Sequence, residues 1–266
     1  MLAMGVVALA AIAAAAMLAS QSTWARHAEL SAQHAQAQAL VQAGVDWARA
    51  LLYDDRRLSN VDHLGEPWAM RLPPVPVDNG ELAGQIEDQH GAFNLNNVFT
   101  GARQNPVQVL QWRRLLQILG LPDALADTYL ATGRPLVDVA ELALLPGFDV
   151  AVRARLRGFV TALPRFTAIN VNTASPEVLA AVIDGLDLDA ARDLAAKRTR
   201  AYFRNRADFL AQLPPGTTAG GNDVGTSSEF FQAGILVTIG AAQARGSALL
   251  ERTSSGWPLV VWRKYP

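Results

Sequence analysis

The side chains that most often carry catalysis are sparse and scattered in this sequence. It has no cysteine, and its four histidines, His27, His34, His63 and His90, show no metal-ligand spacing. No serine lies in a nucleophile elbow. We therefore predict that the protein is not an enzyme, and that it has no catalytic, metal-binding or cofactor-binding residue.

Oxygen-bearing side chains offer one alternative, a calcium site, because calcium prefers carboxylate and amide oxygens as ligands. Two groups of such residues occur, but neither matches an EF-hand loop. Asn and Asp also form turns by hydrogen bonding to the backbone, and we favour that role here. The residues concerned are Asp88, Asn94, Asn96, Asn97, Asn222 and Asp223.

Two segments resemble the hairpins of helix-hairpin-helix elements, which bind DNA. Residues 144–149 (LLPGFD) and 183–187 (IDGLD) each lie between two helical patterns. In DNA-binding hairpins a second glycine lets backbone N–H groups approach a phosphate. Asp149 and Asp187 occupy that position here, and their carboxylates would repel a phosphate. We expect the hairpin shape without DNA binding, and a membrane-tethered DNA-binding protein of the competence type is the alternative function.

The composition predicts a folded chain without a nucleic-acid partner. The 266 residues include 23 Lys and Arg against 24 Asp and Glu, so the chain lacks the overall positive field that favours phosphate binding. Half of the residues are hydrophobic and only 18% are charged, which excludes a wholly disordered chain. The length suits one large domain or two small ones.

The first residues predict a membrane segment. Residues 1–19 contain no charged or polar side chain, and a helix of that length nearly spans the ~30 Å hydrocarbon layer. A cleaved signal peptide is the alternative, but it needs a basic region before the apolar run. We favour a retained transmembrane helix over residues 1–20. Because no basic leader precedes Met1, we expect the coding sequence to start upstream of it.

The helical pattern continues beyond the membrane segment to about Asp54. Small and aromatic residues recur every three or four positions along it, with polar residues between them. Small side chains let helix backbones approach closely, so we predict that this stripe packs on the stems of partner proteins. Near Trp47 and Leu51 we expect the helix to face the chain's own core instead. The predicted stem-packing residues are Trp24, Ala28, Ala32, Ala35 and Ala39.

Beyond the stem, strand patterns precede and follow a helical block. Residues 71–84 are rich in proline and glycine and predict a loop, and residues 214–228 have the composition of a linker. The predicted strands are 84–88, 92–95, 230–239, 248–253 and 257–262. The predicted helices are 106–120, 122–130, 137–145, 149–163, 175–183, 189–200 and 206–213. This order of elements predicts an α+β fold with a helical insertion.

Several motifs occur in the order found in one known family. They are DHLGEPWA at 62–69, residues 84–88 followed by GAFNLNN at 91–97, residues 135–142, and INVNTA at 169–174. Over nearly its whole length the chain resembles the minor pseudopilin of type II secretion systems called general secretion pathway protein K. GAFNLNN and INVNTA are the specific part of this similarity.

The resemblance implies a pilin-like fold of the α+β class, in which a long N-terminal helix packs on an antiparallel sheet and a large all-helical domain is inserted. It divides the chain into four parts. They are the transmembrane part at 1–20, the stem and first part of the pilin-like domain at 21–99, the inserted helical domain at 100–215, and the linker with the C-terminal strands at 216–266.

The resemblance also implies a function. It describes a structural protein at the tip of the periplasmic pseudopilus, needed for protein export across the outer membrane. The implied partners are the minor pseudopilins of the I and J types and the major pseudopilin. The implied location is the bacterial inner membrane, crossed once, with the globular part in the periplasm.

Two departures from the family pattern bear on these expectations. Most pilins carry a glutamate early in the apolar helix, whereas the first acidic residue here is Glu29. A subunit with nothing beyond it does not need that costly carboxylate, which agrees with a tip position. Between Leu130 and Pro135 the sequence ATGR replaces a longer acidic stretch that is usual in the family. If calcium binding depends on that stretch, it is not expected here.

Overall fold

The N-terminal helix, α1 (Leu2–Leu58), is one continuous helix, as predicted. The computed structural model describes residues 2–77, 79–101, 103–253 and 256–265. Within the predicted membrane segment, residues 1–6, 8 and 10 lie outside the described side chains. In the part of the chain that is described, no helix combines the length and the hydropathy that a membrane span requires.

The main sheet has five strands, and every neighbouring pair is antiparallel. Their order across the sheet is β1 (Leu72–Val77), β2 (Gly80–Asp88), β9 (Phe230–Ile239), β10 (Ala242–Glu251) and β11 (Leu259–Lys264). The remaining strands have two residues each and pair with one another. In chain order the strands are β1 (Leu72–Val77), β2 (Gly80–Asp88), β3 (Phe93–Asn94), β4 (Phe99–Thr100), β5 (Arg103–Gln104), β6 (Val160–Thr161), β7 (Ile169–Asn170), β8 (Val224–Gly225), β9 (Phe230–Ile239), β10 (Ala242–Glu251) and β11 (Leu259–Lys264).

The predicted loop at 71–84 is wrong, because most of it forms β1 and the first half of β2. β1 reads LPPVPV, with Pro73, Pro74 and Pro76 inside the strand. Proline cannot donate a ladder hydrogen bond, so within sheets it is confined to edges. β1 is an edge strand paired only with β2, and its register shifts between Leu72 and Val75. The edge position therefore accommodates prolines that the sequence rules read as strand breakers.

The C-terminal strands lie at or near their predicted positions, and one of them is longer than predicted. β9 has the predicted bounds, and β11 overlaps the predicted strand at 257–262. The predicted strand at 248–253 is only the second half of β10, which begins at Ala242. Its first half, AQARGS, has weak strand propensity. It is held by a continuous ladder with β9 from Ala242↔Ile239 onward.

Between β2 and β9 the chain forms a block of short helices, as predicted. Most of their N-termini are capped by side chains, such as the Asn105 carboxamide before Pro106 and the Ser175 hydroxyl before Pro176. The helices are α2 (Pro106–Ile118), α3 (Ala124–Leu130), α4 (Val150–Leu156), α5 (Pro176–Val182), α6 (Leu188–Arg200) and α7 (Arg206–Leu210).

Two of the predicted helices differ in the structure. The helix predicted over 149–163 is the much shorter α4, because Gly158 takes a positive φ of 82° and the chain then enters β6. The helix predicted over 137–145 is a short 3-10 helix, Val139–Leu144. The predicted strand at 92–95 is reduced to β3, because 3-10 helices precede and follow it.

The buried apolar side chains form two large clusters. One lies between α1 and the sheet and includes Val41, Leu52, Phe231 and Val237. The other lies within the helical block and includes Trp112 among its largest members. Most of the stabilising apolar burial is therefore divided between the stem–sheet unit and the insertion.

The predicted linker at 214–228 is held to the insertion at several points. Asp184 pairs with Thr218 in an isolated bridge, and β8 pairs in parallel with β7. The Asp223 carboxylate accepts hydrogen bonds from Gln108 and Gln111 of α2, at 3.0 and 2.8 Å. The segment returns to the sheet along a fixed path.

Candidate assembly surface and the buried junction behind it

The stem helix has two apolar faces. Ala37, Val41 and Val45 are buried against the sheet and belong to its core. Successive helix residues are about 100° apart, so a residue two positions from a core residue points roughly 200° away from the core. Ala35 and Ala39 stand in that relation to Ala37 and Val41. The second face is therefore opposite to the sheet.

All five residues predicted for stem packing are exposed. Trp24 has 74% of its surface exposed, and Ala28, Ala32, Ala35 and Ala39 are exposed as well. The structure brings them together on the outer side of α1, where no described part of the chain covers them. Their placement leaves them accessible to another molecule.

Near Trp47 and Leu51 the helix faces the chain's own core, as predicted, but the Trp47 side chain does not, because it is 48% exposed. The core-facing positions in this part of α1 are Val45, Ala48 and Leu52. Trp47 lies two positions from Val45 and continues the outer face instead. Leu51 is half-buried and packs at the margin of the core.

Glycines bring α1 into close contact with the sheet. A Cβ added at Gly246 of β10 would lie 2.3 Å from Cγ1 of Val41, and one added at Gly44 would lie 2.9 Å from Cγ2 of Ile235. Both distances are too short for a real side-chain atom. The inner face of the stem is thus fixed by small residues on both of the packed elements.

A buried arginine joins the end of the stem to the sheet. Arg252 directly follows β10 and is 3% exposed. Its Nη1 donates to Oδ2 of Asp55 at 2.6 Å, and its Nη2 donates to both carboxylate oxygens of Asp62 at 2.6 Å and to the Ser228 carbonyl at 2.9 Å. The guanidinium carbon lies 4.6 Å from the centre of the Phe231 ring. We call Arg252, Asp55, Asp62 and Glu66 the junction.

The junction continues into the helical insertion through hydrogen bonds. The Ser228 hydroxyl donates to Oδ2 of Asp88 at 2.7 Å, and Nδ2 of Asn170 donates to the same carboxylate at 3.0 Å. The Ser228 amide donates to Oδ2 of Asp62 at 2.7 Å. Both points where the chain enters and leaves the insertion are therefore tied to the stem through this network.

Burial dominates the electrostatics of the junction. It raises the pKa of Asp55 to about 6, and the nearby Glu66 carboxylate adds to that rise while Arg252 opposes it. Burial also raises the pKa of Asp62, against Arg252, and that of Glu66, against its hydrogen bonds from the His63 amide and the Trp68 indole. One cation, Arg252, thus offsets part of the cost of burying three neighbouring carboxyl groups, those of Asp55, Asp62 and Glu66.

Among the residues that the structure describes, the junction carboxylates come nearest to a metal-ligand arrangement. Oxygens of Asp55, Asp62 and Glu66 lie within 4.8 Å of one another, and three carboxylates suit a hard divalent cation. The Arg252 guanidinium already contacts two of the three and supplies a positive charge there. Chemically the arrangement is an ion-pair cluster that joins three segments of the chain.

Sequence reasoning missed the junction. Arg252 lies 197 residues from Asp55 and 190 from Asp62 in the chain, and no spacing rule relates it to them. The motif DHLGEPWA contained a usable signal, since it places Asp62 and Glu66 beside Trp68, which is 1% exposed. Acidic residues next to a buried tryptophan need partners, and their presence predicts a cation from elsewhere in the chain.

The asparagines of GAFNLNN, considered above as calcium ligands, are engaged in hydrogen bonds that hold loops together. Nδ2 of Asn96 donates to the carbonyls of Leu136 and Leu163, and its Oδ1 accepts from the Leu136 amide and the Tyr129 hydroxyl. Asn97 bonds to both backbone groups of Thr167. The side-chain amides of Asn96 and Asn97 therefore act as hydrogen-bond partners for backbone groups of other loops.

In both predicted hairpins the aspartate is the N-cap residue of the helix that follows. Oδ1 of Asp149 accepts from the Val152 amide at 2.8 Å, and Oδ1 of Asp187 accepts from the Ala190 amide at 2.7 Å. Gly185, in the second hairpin, has a φ of 76° and passes close to the Gly216 carbonyl. These two backbone amides already donate to the carboxylates, whereas a DNA phosphate would need free amide donors.

A stem helix packed by one face on an antiparallel sheet, with a helical block inserted between the strands, defines a pilin-like subunit. A solved structure shares this fold: GspK in the crystal structure of the GspK-GspI-GspJ complex from the enterotoxigenic Escherichia coli type 2 secretion system. The match has a TM-score of 0.75 and 20% sequence identity, and covers 90% of this chain and 99% of that chain.

The sequence comparisons are more specific. A family model described as type II secretion system (T2SS), protein K matches residues 169–227. Type II secretion system protein K of Pseudomonas aeruginosa is 35% identical, over 74% of this chain and 68% of the relative. The protein of the same name from Klebsiella pneumoniae is 32% identical, over 82% and 80%.

This chain belongs to the type II secretion system protein K family and is a minor pseudopilin of that system. The family is a structural component of the secretion apparatus. These relatives give no support to the DNA-binding alternative, in agreement with the capped hairpins.

Proposed function

We propose that this protein forms the tip of the periplasmic pseudopilus and assembles there with minor pseudopilins of the I and J types and with the major pseudopilin. The observation that carries the proposal is the exposed stripe from Trp24 to Ala39, on the side of α1 opposite its own sheet. An apolar helix face of small side chains suits close packing against other long helices.

The similar solved structure supports the choice of partners, because it is a complex of GspK with GspI and GspJ. We propose no enzymatic activity, in line with the structural role of the family. We propose no cofactor, because the candidate ligand oxygens of Asn96, Asn97 and Asp223 accept hydrogen bonds from the protein itself.

The proposal includes a location and a division into domains. Residues 1–20 anchor the chain in the bacterial inner membrane and residues beyond them lie in the periplasm, which the uncharged apolar sequence of residues 1–19 supports. Residues 100–215 form the inserted domain. Its separate apolar cluster, centred on residues such as Trp112, supports this division.

Co-purification of the full chain with co-expressed I-type and J-type pseudopilins tests the stripe. We expect Ala28→Leu and Ala32→Leu to reduce the recovered partners roughly tenfold, because a bulky side chain keeps the stems apart. His34→Leu is the matched control, since His34 is also exposed but lies roughly 200° around α1 from Ala32. Wild-type recovery of both partners by both alanine variants would overturn the proposed role of the stripe.

A further inference from the structure

A short segment near the end of α6 concentrates positive charge. Residues 197–206 read KRTRAYFRNR and hold Lys197, Arg198, Arg200, Arg204 and Arg206, with no acidic residue among them. The whole chain, by contrast, has a net charge of −1. In the described residues, none of these five cations lies within 4.0 Å of a carboxylate oxygen.

Structural roles account for only part of this charge. Basic residues in the last turn of α6, such as Lys197 and Arg200, complement the helix dipole. Arg206 donates to the carbonyl of Gly220 at 3.0 Å and so helps to hold the return segment. Neither role applies to Arg204, which follows α6 and is exposed.

The segment lines two adjoining cavities, which we call the basic groove. One, of about 580 Å³, lies against the loop that holds His63 and is lined by Arg198, Arg200 and Arg204. The other, of about 640 Å³, is lined by Lys197 and Arg204 among others. Both are bordered by Tyr202, which is 44% exposed and stacks on His63 with ring centres 4.0 Å apart.

Arg198 is the half-buried cation of the groove. Its Nη1 donates to the Val171 carbonyl at 2.7 Å, which is a neutral partner. Burial alone lowers its pKa to about 10, which still leaves it charged at neutral pH. A buried charge without a counter-charge is costly, and an anion from outside would remove part of that cost.

The wall of the groove is rigid. Asn172 donates to the Phe203 carbonyl at 3.0 Å and accepts from the Phe203 amide at 2.8 Å, so the backbone between Arg200 and Arg204 is fixed by the INVNTA motif. Phe203 also packs edge-on against Phe209. The acidic residue on the wall is Asp208, whose Oδ2 accepts from the Arg204 amide at 3.0 Å. A preformed wall lowers the entropy cost of binding.

We propose that the basic groove binds a carboxylate-rich segment of another protein, with Arg200 and Arg204 pairing with its acidic side chains and Tyr202 packing on its chain. Charge complementarity sets the class of partner. Nucleic acid is disfavoured, because the chain has a net charge of −1 and the aspartates of its two helix-hairpin-helix-like hairpins, Asp149 and Asp187, cap helices with their carboxylates. The groove lies on the insertion, so this inference is independent of the stem stripe.

Binding of fluorescein-labelled decaglutamate to the full chain in detergent, followed by fluorescence anisotropy, tests the proposal. We expect Arg200→Glu with Arg204→Glu to weaken binding at least roughly tenfold at about 50 mM salt, and wild-type binding to weaken as salt rises. Arg103→Glu with Arg157→Glu is the matched control. It makes the same charge change at exposed sites outside the groove, and we expect less than a threefold effect, roughly.

Three results would overturn the proposal. The first is no peptide binding by the wild-type chain, and the second is an equal loss in the control variant, which would indicate only non-specific attraction. The third is tighter binding of a short mixed-sequence DNA duplex that is lost in the groove variant, because it would assign the groove to nucleic acid. Each is distinguishable from failure of the stem proposal, since the pseudopilin co-purification uses variants in α1.

Discussion

Arg252, at the end of β10, donates a 2.6 Å hydrogen bond to Asp55, near the end of the stem helix. The two side chains are only 1% and 8% exposed. Because the same guanidinium also contacts Asp62 and the Ser228 carbonyl, a single side chain connects the stem, the loop after it and the return from the insertion. The long stem is thereby fixed in direction relative to the globular part.

Loss of this cation should destabilise the fold strongly. Arg252→Met leaves Asp55 and Asp62 buried without a counter-charge, so we expect the free energy of unfolding to fall by about 3–5 kcal/mol. Arg245→Met, at an exposed position on the same strand, is the control and should change it by less than about 0.5 kcal/mol. Urea unfolding of both variants measures the difference. A loss below about 1 kcal/mol at Arg252 would contradict the role given to the junction.

The junction should also make stability depend on pH. The raised pKa of Asp55, about 6 against 3.8, means that between these values the folded chain holds a proton that the unfolded chain has lost. The unfavourable contribution of Asp55 is therefore present above about pH 6 and disappears as the pH falls towards 4.

Comparison with Asp55→Asn isolates this effect, because the asparagine does not titrate. From about pH 7 to about pH 4, the free energy of unfolding of the wild type should rise relative to the variant by up to ~3 kcal/mol. The lowered pKa of buried His90 acts in the opposite direction, but both proteins contain it, so it cancels in the difference. A wild-type-to-variant difference that stays constant across this range would exclude the shift.

Close packing of α1 on β10 should be sensitive to any added atom at Gly246. Gly246→Ala places a Cβ 2.3 Å from Val41, so the helix or the strand must move, and we expect a loss of about 1–3 kcal/mol. Gly221→Ala is the control, because a Cβ at Gly221 meets nothing within 4 Å. Thermal and urea unfolding would show the contrast, and equal stability of the two variants would disprove the close contact.

Asn96 should behave as a structural residue. Asn96→Ala removes partners from the Leu136 amide and carbonyl, the Leu163 carbonyl and the Tyr129 hydroxyl, which are buried together. We expect a loss of about 2–4 kcal/mol, since each unpaired buried group costs about 1–3 kcal/mol and some relaxation follows. Asn222→Ala, in an exposed loop, is the control. An Asn96→Ala variant as stable as Asn222→Ala would contradict this role.

Periodicity located the elements whose local preferences agree with the fold. β9 is aromatic and β-branched and has its predicted bounds, and Ser175-Pro176 begins α5 as its capping pattern indicates. Predictions failed where tertiary context decided the outcome. The prolines of β1 are tolerated only because the strand lies at an edge, and α4 ends early because Gly158 takes a positive φ.

The face of α1 that carries the stripe could be predicted from local sequence, whereas the junction could not. Helical spacing predicted that Ala28 and Ala39 share one face of α1, because three-residue and four-residue steps fix one face of a helix. That this face packs on partner stems stays a prediction. Predicting the junction requires knowing which strand ends meet. The register that brings Arg252 beside Asp62 is a property of the whole sheet. No local pattern around Arg252 contains that information.

The two outer strands of the sheet are chemically unequal. β1 presents Pro73, Pro74 and Pro76, which have no amide hydrogen to offer to a further strand. β11 has no proline, and it exposes 55% of Leu259 and 40% of Val261. A neighbouring molecule could therefore continue the sheet alongside β11 but not alongside β1. Pairing of β11 with β1 of another copy of the chain is therefore disfavoured, because three of the six residues of β1 lack an amide hydrogen.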